Sequence, residues 1–163
     1  MRTILPQIIA ERAAGRDCVL VSLIADSGSA PRGKGSLMLV GAQGRIAGTV
    51  GGGAIERHCE NMGKTLTAEK RSDIHEFILR ANKTEDIGMI CGGDVTAQFQ
   101  FIPSDSALWD EVLRIAQART AAHRHGWLIL REDGGTPTLA VDGQCLAGEN
   151  LSAETLQTLC RKQ

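Results

Sequence analysis

The sequence predicts an α/β fold: a mixed or largely antiparallel sheet with flanking helices, in a single compact domain over residues 1–163. Three observations carry that prediction. Short apolar runs such as Cys18–Ile24 read as strands. Between them lie stretches whose apolar residues recur at helical spacing. Several of the strand-like runs are joined by brief glycine-bearing turns, which argues against a repeated series of parallel βαβ units.

The elements follow in chain order. From Arg2 to about Gly15, the residues Ile4, Leu5, Ile8 and Ile9 mark a helix, and Gly15 is a stop signal. Cys18–Ile24 is a nearly continuous apolar run, as expected of a buried strand. Asp26 to Gly35 is a loop by composition. Leu37–Val40 and Arg45–Val50 flank Gly41-Ala42-Gln43-Gly44, the pattern of a β-hairpin. Gly51, Gly52 and Gly53 break that second strand, and residues 54 to about 70 form an amphipathic helix free of proline. Ile74–Leu79 and Val95–Ile102 are strand candidates. Ser104, after Pro103, is the expected N-cap of a helix running to about Arg119, with Leu108, Val112, Ile115 and Trp109, Leu113, Ala116 in its apolar stripe. Trp127–Leu130, Pro137–Val141 and Gln144–Leu146 predict a small antiparallel meander, turning at Asp133-Gly134-Gly135 and Asp142-Gly143. A helix over Ser152–Cys160 closes the chain.

Composition removes several function classes. Eighteen Lys+Arg balance 19 Asp+Glu, and aromatic residues make up 3% with no tyrosine, so neither a polyanion surface nor a base-stacking surface for nucleic acid is expected. No apolar run is long enough to span a membrane, and the N-terminal stretch lacks a signal-peptide pattern. The five cysteines are widely spaced and form no Cys-x-x-Cys pair. They read as reduced thiols, and the protein is expected to be cytoplasmic.

Three glycine-rich segments hold the chemical interest. Gly28-Ser29-Ala30-Pro31-Arg32-Gly33-Lys34-Gly35-Ser36 falls one residue short of a P-loop, because Gly35 stands where the magnesium-binding Ser or Thr belongs. It also leads into a strand where a P-loop opens a helix, and Pro31 removes an amide donor. Arg32 and Lys34 can still attract one anionic group, although a solvated basic turn is the better explanation of this loop taken alone. The second segment, Gly48 to Glu56, runs from a strand through Gly51–Gly53 into a helix. Its first-turn amides and the helix dipole suit a phosphate or carboxylate, against the alternative of a tight turn packed on its own sheet. No Gly-x-Gly-x-x-Gly fingerprint is present. Residues 1–57 carry seven basic and four acidic side chains, a net of +3, which favours this half for an anion.

The third segment is Asp86 to Asp94, in which Cys91 stands beside Gly92 and Gly93. Cys91 alone among the cysteines lies in a glycine-rich turn, where its sulfur could face a bound group. A buried, inert thiol is the plainer reading. Glu56, Cys59 and Glu60 share a helical face near His58, yet no second ligand pair recurs at metal spacing, and His123 and His125 end a polar segment. Solvated side chains account for all of these.

Taken as an ordered set, Gly28–Arg32, Gly48–Glu56 and Gly88–Asp94 resemble the N-terminal domain of the XdhC and CoxI family, the xanthine dehydrogenase accessory factors. The resemblance runs from about Val19 to Pro103. It implies a cofactor-binding accessory protein rather than an enzyme, one that binds molybdenum cofactor (molybdopterin) transiently and helps mature or deliver it to xanthine dehydrogenase or a related molybdenum hydroxylase. The residues it points to are Ser29, Arg32, Lys34, Gly51, Gly52, Gly53, Glu56, Cys91, Gly92 and Gly93. A cysteine desulfurase is a further candidate partner, and a homodimer is allowed. Longer relatives carry a C-terminal Rossmann domain, which this chain is expected to lack. The alternatives are a small phosphate- or nucleotide-binding enzyme using the Gly28–Ser36 loop and the Gly51–Gly53 turn, and an interaction module that binds no cofactor.

Overall fold

A computed structural model describes residues 1, 3–27, 33–78, 94–135 and 137–160. Helix α1 (Leu5–Ala13) starts with Pro6 in its first turn, where a missing N–H costs nothing. Strands β1 (Cys18–Ser27), β2 (Leu37–Gly41) and β3 (Gly44–Gly48) follow, then helix α2 (Gly53–Glu69), strands β4 (Asp73–Ile78) and β5 (Asp94–Ile102), and helix α3 (Ala107–Ala121). The chain continues through β6 (Trp127–Ile129), β7 (Thr138–Val141), β8 (Gln144–Gly148) and helix α4 (Ala153–Leu159).

The first five strands form one antiparallel sheet in the order β3-β2-β1-β5-β4. The β2–β3 hairpin closes on Ala42-Gln43, with Gly41 opposite Gly44, as its glycine-bounded turn predicts. The last three strands pair antiparallel in the order β6-β7-β8, the expected meander. The expected α/β class is therefore found, with all described strand pairs antiparallel.

Two expectations about boundaries need correction. The cap of α3 is Ser106, whose hydroxyl accepts the Trp109 N–H, and not Ser104. The Ser104 N–H is drawn instead to Asp17 Oδ1 at 2.7 Å, a contact spanning 87 residues that holds the chain out of the helix until Ser106. Strand β3 stops at Gly48, short of Val50, because Thr49 turns away while its N–H still donates to Leu37 O.

Alternation along the central strands gives the large sheet two buried faces. Helix α2 covers one, where Val19, Val21, Met38, Val40, Ala97 and Phe99 meet Ile55, Cys59 and Leu66. Its approach is close, because a Cβ on Gly63 would lie 2.9 Å from Val40 Cβ. Helices α1 and α3 cover the other face, packing Ile4, Leu5, Ile8, Trp109 and Leu113 on Cys18, Leu20, Leu39 and Ile102. The outer side of α3 packs Val112 against Leu139 and Ala147 of the small sheet. Gln98 Nε2 donates to Arg131 O, and Gln100 Nε2 to Gly134 O, tying β5 to the β6–β7 connection.

Candidate functional site

The register places the strand ends that flank all three glycine-rich segments at one end of the large sheet. Ser27, where β1 ends, pairs with Asp94, where β5 begins. Ile78, where β4 ends, pairs with the same Asp94. Met38 pairs with Gly48, so β2 begins and β3 ends there too. Residues 28–32, 49–52 and 79–93 thus start from and return to this single end. The predicted site residues Ser29, Arg32, Cys91, Gly92 and Gly93 lie outside the described residues, whereas Lys34, Gly51, Gly52, Gly53 and Glu56 lie within them.

Buried Val50 and buried Ile55 pin the strand-to-helix turn to the α2-face core. Only four residues separate them, and the backbone reverses within that span through Gly51 at φ +151° and Gly53 at φ +62°, conformations that favour glycine. Gly52 is the extended N-cap of α2, and among the described residues no side chain caps the helix. Gly52 and Gly53 are exposed, and a Cβ at either would meet nothing within 4 Å. The first-turn amides therefore open toward solvent, at the positive end of the helix dipole.

Glu56 is occupied within the fold. One carboxylate oxygen accepts from Arg45 Nη1, and the other lies against Thr49 Oγ1. The Thr49 hydroxyl also lies 2.9 Å from Gly51 O and accepts the Gly51 N–H at 3.2 Å. Its single proton serves one acceptor at a time. Glu56 thus braces the glycine turn from behind, and Arg45 spends its charge on it. Glu60 takes part as well, accepting the Arg45 N–H. These carboxylates are not the free, solvated groups that their spacing suggests.

Among the described residues, two cations remain at this end. Lys34 is exposed; its backbone N–H donates to Asp26 Oδ1, and among the described residues no acid pairs with its ammonium. Arg57, one residue past Glu56, is exposed on the first turns of α2 and has no acidic partner among the described residues. Sequence reasoning passed over Arg57. The available signal was a cation directly after a glycine-opened helix start.

Cys59 is fully buried beneath α2, and burial pushes its thiol up to about 12, with the Glu56 carboxylate adding to the shift. Among the described residues, no group of three His, Cys, Asp or Glu side chains is placed to hold a metal ion. Lys34 and Gly35 form a turn that enters β2 rather than a helix, so the P-loop context is missing. No helix is long and apolar enough to cross a membrane, among the described residues.

Fold and site together define an α/β protein in which the strand ends flanking three glycine-rich segments, and a glycine-opened helix start, lie at one end of an antiparallel sheet. Residues 11–79 match the sequence model of the XdhC and CoxI family. The likeness read from the first two glycine motifs is therefore borne out over that segment, while the third motif falls beyond it. A solved structure described as a xanthine dehydrogenase from Bacillus halodurans superposes with a TM-score of 0.72 at 14% sequence identity, over 91% of this chain and 46% of that one. The chain thus spans just under half the length of that protein, and the likeness concerns the fold. No curated protein matches the chain.

Proposed function

We propose that the chain acts as an accessory factor that binds molybdenum cofactor transiently and helps mature or deliver it to xanthine dehydrogenase or a related molybdenum hydroxylase. The single observation that carries this reading is that the strand ends flanking the glycine-rich segments lie at the same end of the sheet as the glycine-opened start of α2. The family match over residues 11–79 gives that arrangement its direction.

The residues present fit the phosphate end of such a cofactor. The exposed Gly52 and Gly53 leave room for an anion to approach the backbone, and the amides of Gly53, Ala54 and Ile55 are the donors a phosphate uses at a helix start. Lys34 and Arg57 supply positive charge at the same end of the sheet, and Glu56 holds the turn through Arg45 and Thr49. The bound cofactor would supply redox chemistry to its client enzyme. This chain would bind, shield and release it. The thiol of Cys91 is the proposed neighbour of the metal end.

The test is anaerobic titration of the reduced protein with molybdenum cofactor, with ATP and inorganic phosphate as controls. Saturable binding, weakened about tenfold by Arg57→Ala, Arg32→Ala or Cys91→Ala, is expected. Affinity unchanged in all three variants would sink the reading. Magnesium-dependent ATP turnover would favour the nucleotide enzyme instead, and client binding indifferent to cofactor would favour a plain interaction module.

A further inference from the structure

We propose that a cavity on the opposite face of the large sheet is a second binding site, which takes a small amphipathic anion: an apolar body ending in a carboxylate or phosphate. The cavity has a volume of about 430 Å³, within the usual range for small-molecule sites. It lies between the α1/α3 face of the sheet and strand β6, away from α2. Leu5, Leu20, Leu37, Leu128, Leu130 and Leu139 make its apolar lining. Arg119, His123, Arg124 and His125 stand along the same wall, and among the described residues none of the lining is an acid.

The order of this wall is built into the fold. Arg119 Nε and Nη2 donate to His125 O at 2.9 and 2.5 Å, closing the turn that leaves α3. His123 takes a left-handed conformation at φ +52°, and the Arg124 N–H donates to Arg119 O. Arg119 is thereby committed to the backbone. Arg124 is exposed and has no acidic partner among the described residues. A cationic lip without carboxylates, over a leucine floor, matches a ligand whose one end is charged and whose remainder is not. Either half alone would leave part of the site unmatched. Trp127, 39% exposed, also lines the cavity and offers an aromatic face.

The experiment titrates the full chain with octanoate, octyl phosphate, octanol and inorganic phosphate, by calorimetry and by tryptophan emission. Trp109 is buried, so a ligand-dependent emission change that Trp127→Phe abolishes reports this cavity. Octanoate or octyl phosphate should saturate, with octanol and inorganic phosphate about tenfold weaker or worse. The ranking of the first two assigns the head group. Arg124→Glu should weaken the better ligand about tenfold or more, Arg124→Lys should retain most of its affinity, and the exposed Lys64→Ala on α2 should change nothing. The proposal is overturned by octanol binding as tightly as the anions, by Arg124→Glu binding as the wild type does, or by no saturation at millimolar ligand. None of these outcomes depends on molybdenum cofactor, so this proposal and the accessory-factor reading fail separately.

Discussion

The two faces of the five-stranded sheet solve different problems. Against α2, Val19, Val21, Met38, Val40, Ala97 and Phe99 are all at 0% exposure, and the polar side chains Arg45, Asp73 and His75 of that face belong to the outer strands β3 and β4. Against α1 and α3, apolar Leu20, Leu39 and Ile102 share the face with Ser22, Gln98 and Gln100. On the same side, buried Arg12 of α1 ties that helix to the start of α3, bonded to Ser106 O at 2.8 Å and to Asp110 at 2.5 Å. A close-packed apolar face holds its helix in one position, which is what a helix start must have to present its amides. A mixed face is joined by directional polar links and leaves a cavity between them. The first face positions, and the second leaves room.

The sharpest way to break this contrast is to hollow out the dry face. Phe99→Ala removes the ring from a fully enclosed position and should cost about 3–5 kcal/mol, read from the urea midpoint. A loss under about 1 kcal/mol would show that the α2 face collapses easily and positions nothing. Gly63→Val attacks the same face by overfilling it. Its Cβ would sit 2.9 to 3.1 Å from three atoms of Val40, so α2 must lift. A cost of about 1–3 kcal/mol is expected, along with weaker anion binding at the α2 start and unchanged octanoate binding on the far face.

Much of this architecture was legible in the chain, and what was not has a common cause. The Gly41-Ala42-Gln43-Gly44 turn, the Trp127–Leu146 meander and the helix after Gly53 depend on neighbours in sequence, and they stand where the pattern puts them. The pairing of Cys18 with Ile102 depends on closing a loop of more than eighty residues, which no local pattern encodes. The N-cap of α3 moved for the same reason, through Asp17. At the glycine end, the segments were readable one by one, but the shared end of their flanking strands follows from the β1–β5 and β4–β5 registers. His123 and His125 are solvated, as their polar surroundings predict. Their place beside a leucine floor arises because Leu5, Leu20, Leu37 and Leu139 arrive from distant elements.

One buried thiol on each face allows a direct comparison by pH. Cys59 packs on the α2 face and Cys18 on the other, and burial pushes both up to about 12. The Glu11 carboxylate adds to the shift at Cys18, and Arg12 opposes it. Unfolded thiols ionise near pH 9, so above that pH the unfolded chain gives up protons that the folded chain keeps. Stability is complete below pH 9 and is lost as pH rises through the folded values, by about 1.4 kcal/mol per unit for each thiol. Urea midpoints at pH 8 and pH 10 should fall less in Cys59→Ala and in Cys18→Ala than in the parent. Equal alkaline losses in parent and variants would mean that water reaches both sulfurs.

The smallest expected effect tests how the dry face hands its rigidity to the glycine turn. Thr49→Val keeps the shape of the side chain but removes the hydroxyl between Gly51 and Glu56. The turn is partly exposed, so the Gly51 N–H can find water, and the loss of stability should be about 1 kcal/mol or less. Binding should suffer more than stability. Without the hydroxyl, Glu56 is held only by Arg45, and the Gly51–Gly53 backbone loses the anchor that fixes its amides relative to the sheet. The expected pattern is a nearly unchanged urea midpoint with a several-fold weaker affinity for molybdenum cofactor, and Thr49→Ser restoring it. If Thr49→Val lowers stability and affinity by the same free energy, the hydroxyl is a packing detail. The α2 start would then owe its position to Val50 and Ile55 alone.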